Sequence, residues 1–168
     1  FGRTNLNMPV LSLGGMRFQQ SWNHLDASEI TIKQRNKVEN ILTLANKYGF
    51  NHIETAFHYG TSELELGFAI KNSYRDSIII QTKIPPNENV DIFRENLENS
   101  FKNLKVKKIN LVAIHGLNND EHLLQSIRDG GCVDVLRKYQ KKGLIDHIGF
   151  STHGKLSLIK KAISSNQF

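Results

Sequence analysis

Cysteine is almost missing from this chain: Cys132 is the only one in 168 residues. That excludes an internal disulfide framework and any metal site built from cysteines alone. Long apolar runs are missing too. None approaches the roughly 20 residues needed to span a bilayer, and no signal-peptide pattern opens the chain. No membrane is therefore expected as a partner, and the expected location is cytoplasmic. Disorder is also excluded, because 39% of the residues are hydrophobic, only 23% are charged, and apolar segments recur throughout.

What is present is a modest excess of positive charge, 22 Lys+Arg against 16 Asp+Glu, for a net charge of +6. The excess sits in short clusters: Lys102, Lys105, Lys107 and Lys108; Arg137, Lys138, Lys141 and Lys142; Lys160 and Lys161. Each lies near the end of a predicted helix, where cations favour the dipole and face solvent. No basic stretch is interleaved with aromatics and no zinc or RNA-binding motif is present, so no nucleic-acid partner is expected.

Periodicity predicts short apolar strands alternating with amphipathic helices. An apolar segment runs from Met8 to the Gly14-Gly15 turn, followed by a long polar stretch from Gln19 to about Thr31. A helix with Val38, Ile41, Leu42 and Ala45 on one face stops at Gly49, and Asn51–Ala56 reads as a strand. Ser62 and Glu65 match a capping box opening a second helix, which fades near Asn72. Ser77–Lys83 reads as a strand too apolar to have one wet face, and Pro85-Pro86 blocks helix directly after it. A helix over about Asp91–Leu104, a strand over Ile109–His115, a helix from Cys132 to Gly143, a strand over Ile145–Ser151 and a helix over Leu156–Ile163 complete the pattern. Cys132 falls on the apolar face of its helix and reads as packing.

Such alternation means βα units around a parallel sheet, either an open doubly wound sheet or a closed (β/α)8 TIM barrel. The first strand lacks the Gly-x-Gly-x-x-Gly turn of a dinucleotide-binding open sheet. A complete barrel has eight strands and typically about 250 residues. With about five strands, the chain supplies only part of one.

Reactive side chains gather where the strands end, the edge at which βα folds build their sites. Glu54 lies in the second strand with Tyr59 just beyond it, Lys83 closes the third, and His115 closes the fourth. A lysine closing a strand as apolar as Ile78-Ile79-Ile80 calls for a carboxylate partner, and Glu54 is the candidate. The set suits proton donation to a carbonyl oxygen. A phenol titrates near pH 10; an adjacent ammonium stabilises its anion, and a neutral imidazole can share the proton or orient the substrate oxygen. Hydride would come from a reduced nicotinamide, since no side chain supplies it. Each residue also has a purely structural reading: Tyr59 as a rim tyrosine, Lys83 as an ion-pair partner, His115 as a turn histidine, and Ser151 and Thr152 as caps. His52, His58 and His115 show no ligand spacing, and no metal is expected.

With these residues in place, the chain resembles the aldo-keto reductase family along its whole length. Phe1–Leu6 with Met8-Pro9-Val10 resembles the N-terminal hairpin that plugs the bottom of that family's barrel, and Leu13-Gly14-Gly15-Met16-Arg17 resembles the end of its first strand. The family's tetrad of acid, tyrosine, lysine and histidine falls on Glu54, Tyr59, Lys83 and His115, and Ile148–His153 resembles its fifth-strand motif. The resemblance implies a partial (β/α)8 barrel of about five βα units after a hairpin, with residues 1–168 forming the N-terminal portion of a single barrel domain cut at both ends. It also implies an NADPH- or NADH-dependent oxidoreductase acting on a small-molecule carbonyl substrate, with Gly15, Met16, Ser151 and Thr152 toward the cofactor. Glu54-Thr55-Ala56, Gly130-Gly131-Cys132 and Gly149–His153 are similar to a branch whose members often carry iron-sulfur clusters in a C-terminal domain, which would lie beyond Phe168.

Two positions depart from the family pattern. The acid is usually Asp and is Glu54 here, one methylene longer; the asparagine beside the fifth-strand serine is Thr152. The family's later strands, which hold the pyrophosphate and adenosine end of the cofactor, have no counterpart in the sequence. The alternatives are a noncatalytic cofactor-binding or regulatory subunit, kept open by Glu54, and a half-barrel completed by a second copy. The oligomeric state is left undecided.

Overall fold

Parallel pairing of short β-branched segments organises the molecule. In the computed structural model, which describes residues 1–70, 75 and 77–168, the strands are β1 (Leu13–Gly14), β2 (His52–Glu54), β3 (Ile79–Ile84), β4 (Ile109–Ile114) and β5 (Ile145–Phe150). They pair in sequence order, β1-β2-β3-β4-β5, and every pair is parallel. A doubly wound sheet reverses its strand order at a switch point. This one does not reverse, and it stays open between β1 and β5. It is part of a (β/α)8 barrel wall.

The connecting helices are α1 (Ile32–Lys47), α2 (Ser62–Ala69), α3 (Val90–Leu104), α4 (Asp120–Ile127), α5 (Cys132–Lys141) and α6 (Leu156–Ser164). Side-chain oxygens start three of them: Thr31 accepts from the Gln34 N–H, Asn89 from Asp91 and Asn119 from His122, each satisfying a backbone donor left free by the first turn.

Side chains alternate across each strand, and here the two faces differ in kind. Ile53, Ile80, Ile84, Val112 and Ile114 are buried toward the helices, where they join Val38, Leu42, Leu66, Phe93, Leu97 and Leu136 in one core. The register sets the other face as rows: Glu54 beside Gln81, Leu111 and His147, and Lys83 beside Ala113 and Gly149. That polar, concave face is the one a barrel encloses. Cys132 is fully buried in the core, as its helical face predicts.

Three expectations need correction. No strand forms before Leu13, so the N-terminal hairpin is replaced by a single 3-10 turn over Gly2–Thr4, and Phe1 and Thr4 border the concave face near His147 and Gly149. The apolar Met8–Leu11 stretch stays out of the sheet because Val10 and Leu11 are exposed and find no strand partner. Second, Thr61, not Ser62, stands at the N-cap position of α2, its side chain makes no capping bond, and no capping box forms; Ser62 instead donates to the Gly15 carbonyl at 2.8 Å. Third, the segment before Cys132, given no helix by periodicity, contains α4. The fading of the second helix near Asn72 lies outside the described residues.

Candidate active site

All four candidate side chains emerge at the C-terminal ends of parallel strands. Glu54 is the last residue of β2, Lys83 lies next to the end of β3, and His115 follows β4 directly. Beyond β2 the backbone keeps pairing with β3, through Thr55 N to Gln81 O at 2.8 Å and Phe57 N to Lys83 O at 3.0 Å, and then turns so that Tyr59 N donates to Ala56 O. This turn returns Tyr59 to the strand ends.

Lys83 is only 5% exposed, and its three ammonium protons find three acceptors: Glu54 Oε1 at 2.5 Å, the Thr55 carbonyl at 2.9 Å and Tyr59 Oη at 3.1 Å. An ammonium carries three donors and no acceptor, so its hydrogen-bonding capacity is filled. The extra methylene of Glu54 is accommodated, and its carboxylate reaches the lysine. His115 meets Tyr59 edge-on, with ring centroids 5.6 Å apart and an interplanar angle of 87°. Burial, and then the nearby Lys83 charge, push the His115 pKa down to about 4. The ring is therefore neutral at pH 7, with one N–H to donate and one nitrogen to accept.

The proposed cofactor-side residues differ in what they leave available. Gly15 is clamped: its N–H donates to the Glu54 carbonyl at 2.6 Å, and a Cβ there would come within 2.8 Å of the same oxygen. Met16 follows it, exposed. The Ser151 hydroxyl accepts from Gly116 N at 3.1 Å and keeps its own proton free to donate. Thr152 is engaged in both directions, donating to the Leu117 carbonyl and accepting from Gly154 N at 2.7 Å. On the concave face Ala113 and then Gly149 follow Lys83 in register, and Gly14 lies beside Glu54; a Cβ built on Gly14 or Gly149 meets nothing within 4 Å.

Several contacts at this edge carry no mark in a residue-type reading. The Thr55 acceptor is a backbone carbonyl. His58 approaches His115 at 6.3 Å, and Phe57 bridges His58 and His24 at 5.7 and 4.8 Å, so rings arch from the β1–α1 loop to β4. Gly60, in the left-handed region at φ 55°, is the tightest point, because a Cβ would lie 2.0 Å from the Ser21 carbonyl. The dipeptide Tyr59-Gly60 was the available signal for that turn. His52, weighed as a metal ligand, is bound to Ser12 and Gln81 at 2.7 and 3.2 Å.

The family model for the Aldo/keto reductase family matches residues 10–167. The chain belongs to the aldo/keto reductase family. Its fold overlays an aldo-keto reductase of Pseudomonas aeruginosa with a TM-score of 0.75 and 27% identity, covering 95% of this chain and 63% of that one. It also overlays a thermostable aldo-keto reductase crystallised with the inhibitor epalrestat, at a TM-score of 0.77 and 29% identity, covering 97% of this chain and 56% of that one. A Bombyx mori aldo-keto reductase bound to NADP shares the fold at a TM-score of 0.66 and 20% identity, covering 94% and 50%. This aldo/keto reductase chain thus spans less than two thirds of the length of each of these relatives. No curated protein sequence matches it.

Proposed function

We propose that this chain supplies the proton-transfer half of an NAD(P)H-dependent oxidoreductase that reduces an aldehyde or ketone to an alcohol. The observation that carries this reading is Lys83, buried and bound at once to Glu54, Thr55 and Tyr59. Nothing in packing alone calls for an ammonium at the end of an apolar strand, directed at a phenol oxygen.

In this reading the substrate carbonyl oxygen sits between Tyr59 and His115. The Lys83 ammonium donates to Tyr59 Oη, so the phenol proton points away from the lysine and toward the substrate. As the carbonyl oxygen gains negative charge, Tyr59 gives up that proton and the ammonium holds the phenolate left behind. The neutral His115 donates its N–H to the same oxygen and fixes the carbonyl plane. Glu54 and the Thr55 carbonyl keep Lys83 charged and aimed. The open face beside Gly149, with the Ser151 hydroxyl two residues further along, suits a nicotinamide ring. When bound there, NADPH or NADH supplies the hydride.

Because Glu54 reaches Lys83, the longer acid gives no geometric support to a noncatalytic subunit. The test is Tyr59→Phe in the intact protein, with oxidation of NADPH by an aromatic aldehyde as the readout. Loss of a positioned general acid lowers kcat by about 10²–10⁴-fold. Reduction at the wild-type rate would overturn the assignment.

A further inference from the structure

Two acids in the first turn of α2 are fully buried, and the proton transfer uses neither of them: Glu63 and Glu65. Glu65 faces the long β1–α1 loop. Its Oε1 accepts from the Thr61 hydroxyl at 2.7 Å and from the Gln20 backbone N–H; its Oε2 accepts from Gln34 Nε2 at 2.6 Å. Among the described residues no lysine or arginine pairs with it. Its two oxygens are satisfied by these donors, at the N-terminal end of α2.

The donors come from three separate places: Gln20 from the loop, Gln34 from α1, and Thr61 from the turn that carries Tyr59. The same contact is doubled by backbone. Thr61 Oγ1 accepts from Gln20 N at 2.9 Å and from Ser21 N at 3.2 Å, and Thr61 N donates to the Ser21 carbonyl at 3.0 Å. Gln34 Nε2 also donates to the Phe18 carbonyl. The loop is thereby pinned at Phe18, Gln20 and Ser21. Just past these points come Trp22, whose Cα a Gly60 side chain would strike, and His24, whose ring meets Phe57 at 4.8 Å.

We propose that Glu65 is a positioning residue that latches the β1–α1 loop against the Tyr59 turn, with Gln34 as its partner, so that Trp22 and His24 form a fixed wall of the carbonyl-binding mouth. The catalytic consequence rests on the reductase reading; the latch itself does not. Lys83 is held independently by Glu54 and Thr55 and itself holds Tyr59 Oη, so the latch governs substrate fit and not proton donation.

Trp22 is the single tryptophan of the chain and reports the loop directly. Glu65→Gln keeps shape but sets an amide NH2 against the Gln34 NH2. The expected result is an unchanged far-UV circular dichroism spectrum, lower Trp22 anisotropy and about a doubling of acrylamide quenching as the loop loosens. Gln34→Glu with Glu65→Gln exchanges the two halves and restores at least half of the lost anisotropy, the shortfall reflecting the Phe18 carbonyl left without its donor. Gln34→Met removes one donor only and falls between; it decides the question if Glu65→Gln does not fold. In the intact protein, Glu65→Gln raises the carbonyl KM about ten-fold, the worth of one hydrogen bond to a charged group, with kcat held within about two-fold. Unchanged Trp22 signals in Glu65→Gln, or an exchange pair as loose as the single variant, would overturn the latch. The fluorescence pattern without any carbonyl reduction would instead sink the reductase reading.

Discussion

Each Lys83 proton has its own acceptor, and only one of the three acceptors carries charge. Glu54→Gln therefore keeps the count and removes the counter-charge from an ammonium that is 5% exposed. The expected outcome is a kcat lowered about 10–100-fold and a stability loss of about 1–3 kcal/mol, below the cost of stripping a buried ion of every partner because two acceptors remain. Steady-state kinetics and urea unfolding check the two parts, and an unchanged kcat would count against the role of Glu54. His115 gives a second readout at this scale. It titrates at 6.5 in the unfolded chain and at about 4 in the fold, through burial first and the Lys83 charge second. Between those values the unfolded chain binds the extra proton, so this contribution to stability is intact above about pH 6.5 and is lost as pH falls toward 4. His115→Gln removes that slope: on acidification from about pH 7 to about pH 4.5 the wild type should lose more Tm than the variant. Equal losses would argue against a neutral buried ring. The four side chains are legible in the sequence because a lysine closing an isoleucine-rich strand has no packing rationale and a carboxylate, a phenol and an imidazole end the neighbouring strands. The Thr55 carbonyl is not legible, since a backbone acceptor leaves no trace in residue type.

Helix α2 ties these strand ends together through its two buried acids. Glu63 accepts from the Thr82 hydroxyl of β3 at 2.6 Å and from the Asn103 amide of α3 at 3.3 Å. Burial raises its pKa above the ordinary 4.5, against the pull of those donors. The sign here is opposite to that of His115. The fold retains a proton that the unfolded chain releases, so stability is greatest below pH 4.5 and declines as pH rises through the raised value. Glu63→Gln has no proton to hold, and its Tm relative to wild type should rise between about pH 5 and about pH 8. A constant difference across that range would mean that Glu63 is ionised in the fold. Element by element, the sequence was most informative where apolar spacing is strong, as in α3 and β4. It misled where a short pattern had two uses. Ser62-Glu63-Leu64-Glu65 satisfies the capping-box rule, yet the helix starts one residue earlier than that rule implies, after Thr61, and Ser62 and Glu65 bond to the β1–α1 loop. Helix α4 escaped notice because it is two turns long with few buried residues, although Asn119 stands at its cap position.

At the scale of the molecule, the sheet presents one wall of a barrel, ordered β1 to β5 and open between them. The features proposed to face the nicotinamide lie on that wall or just beyond it: the open face beside Gly149, the exposed Met16, and the Ser151 hydroxyl with its free proton. Thr152 offers less, because its hydroxyl is committed to Leu117 and Gly154. The pyrophosphate and adenosine end, which the family resemblance assigns to later strands, has no counterpart among the five strands here. An affinity built from one end of a dinucleotide is small, since the rest of the ligand is ordered without compensating contacts. These 168 residues are therefore expected to bind NADPH with a Kd of about 100 μM or weaker. Reduced nicotinamide mononucleotide, which lacks the adenosine end, should bind within about three-fold of NADPH, a difference below 1 kcal/mol. Titration of the reduced nicotinamide fluorescence measures both ligands on the same chain. A submicromolar Kd for NADPH together with weak mononucleotide binding would mean that this wall holds the adenosine end after all. The binding surface would then have to be sought on elements other than β1 and β5.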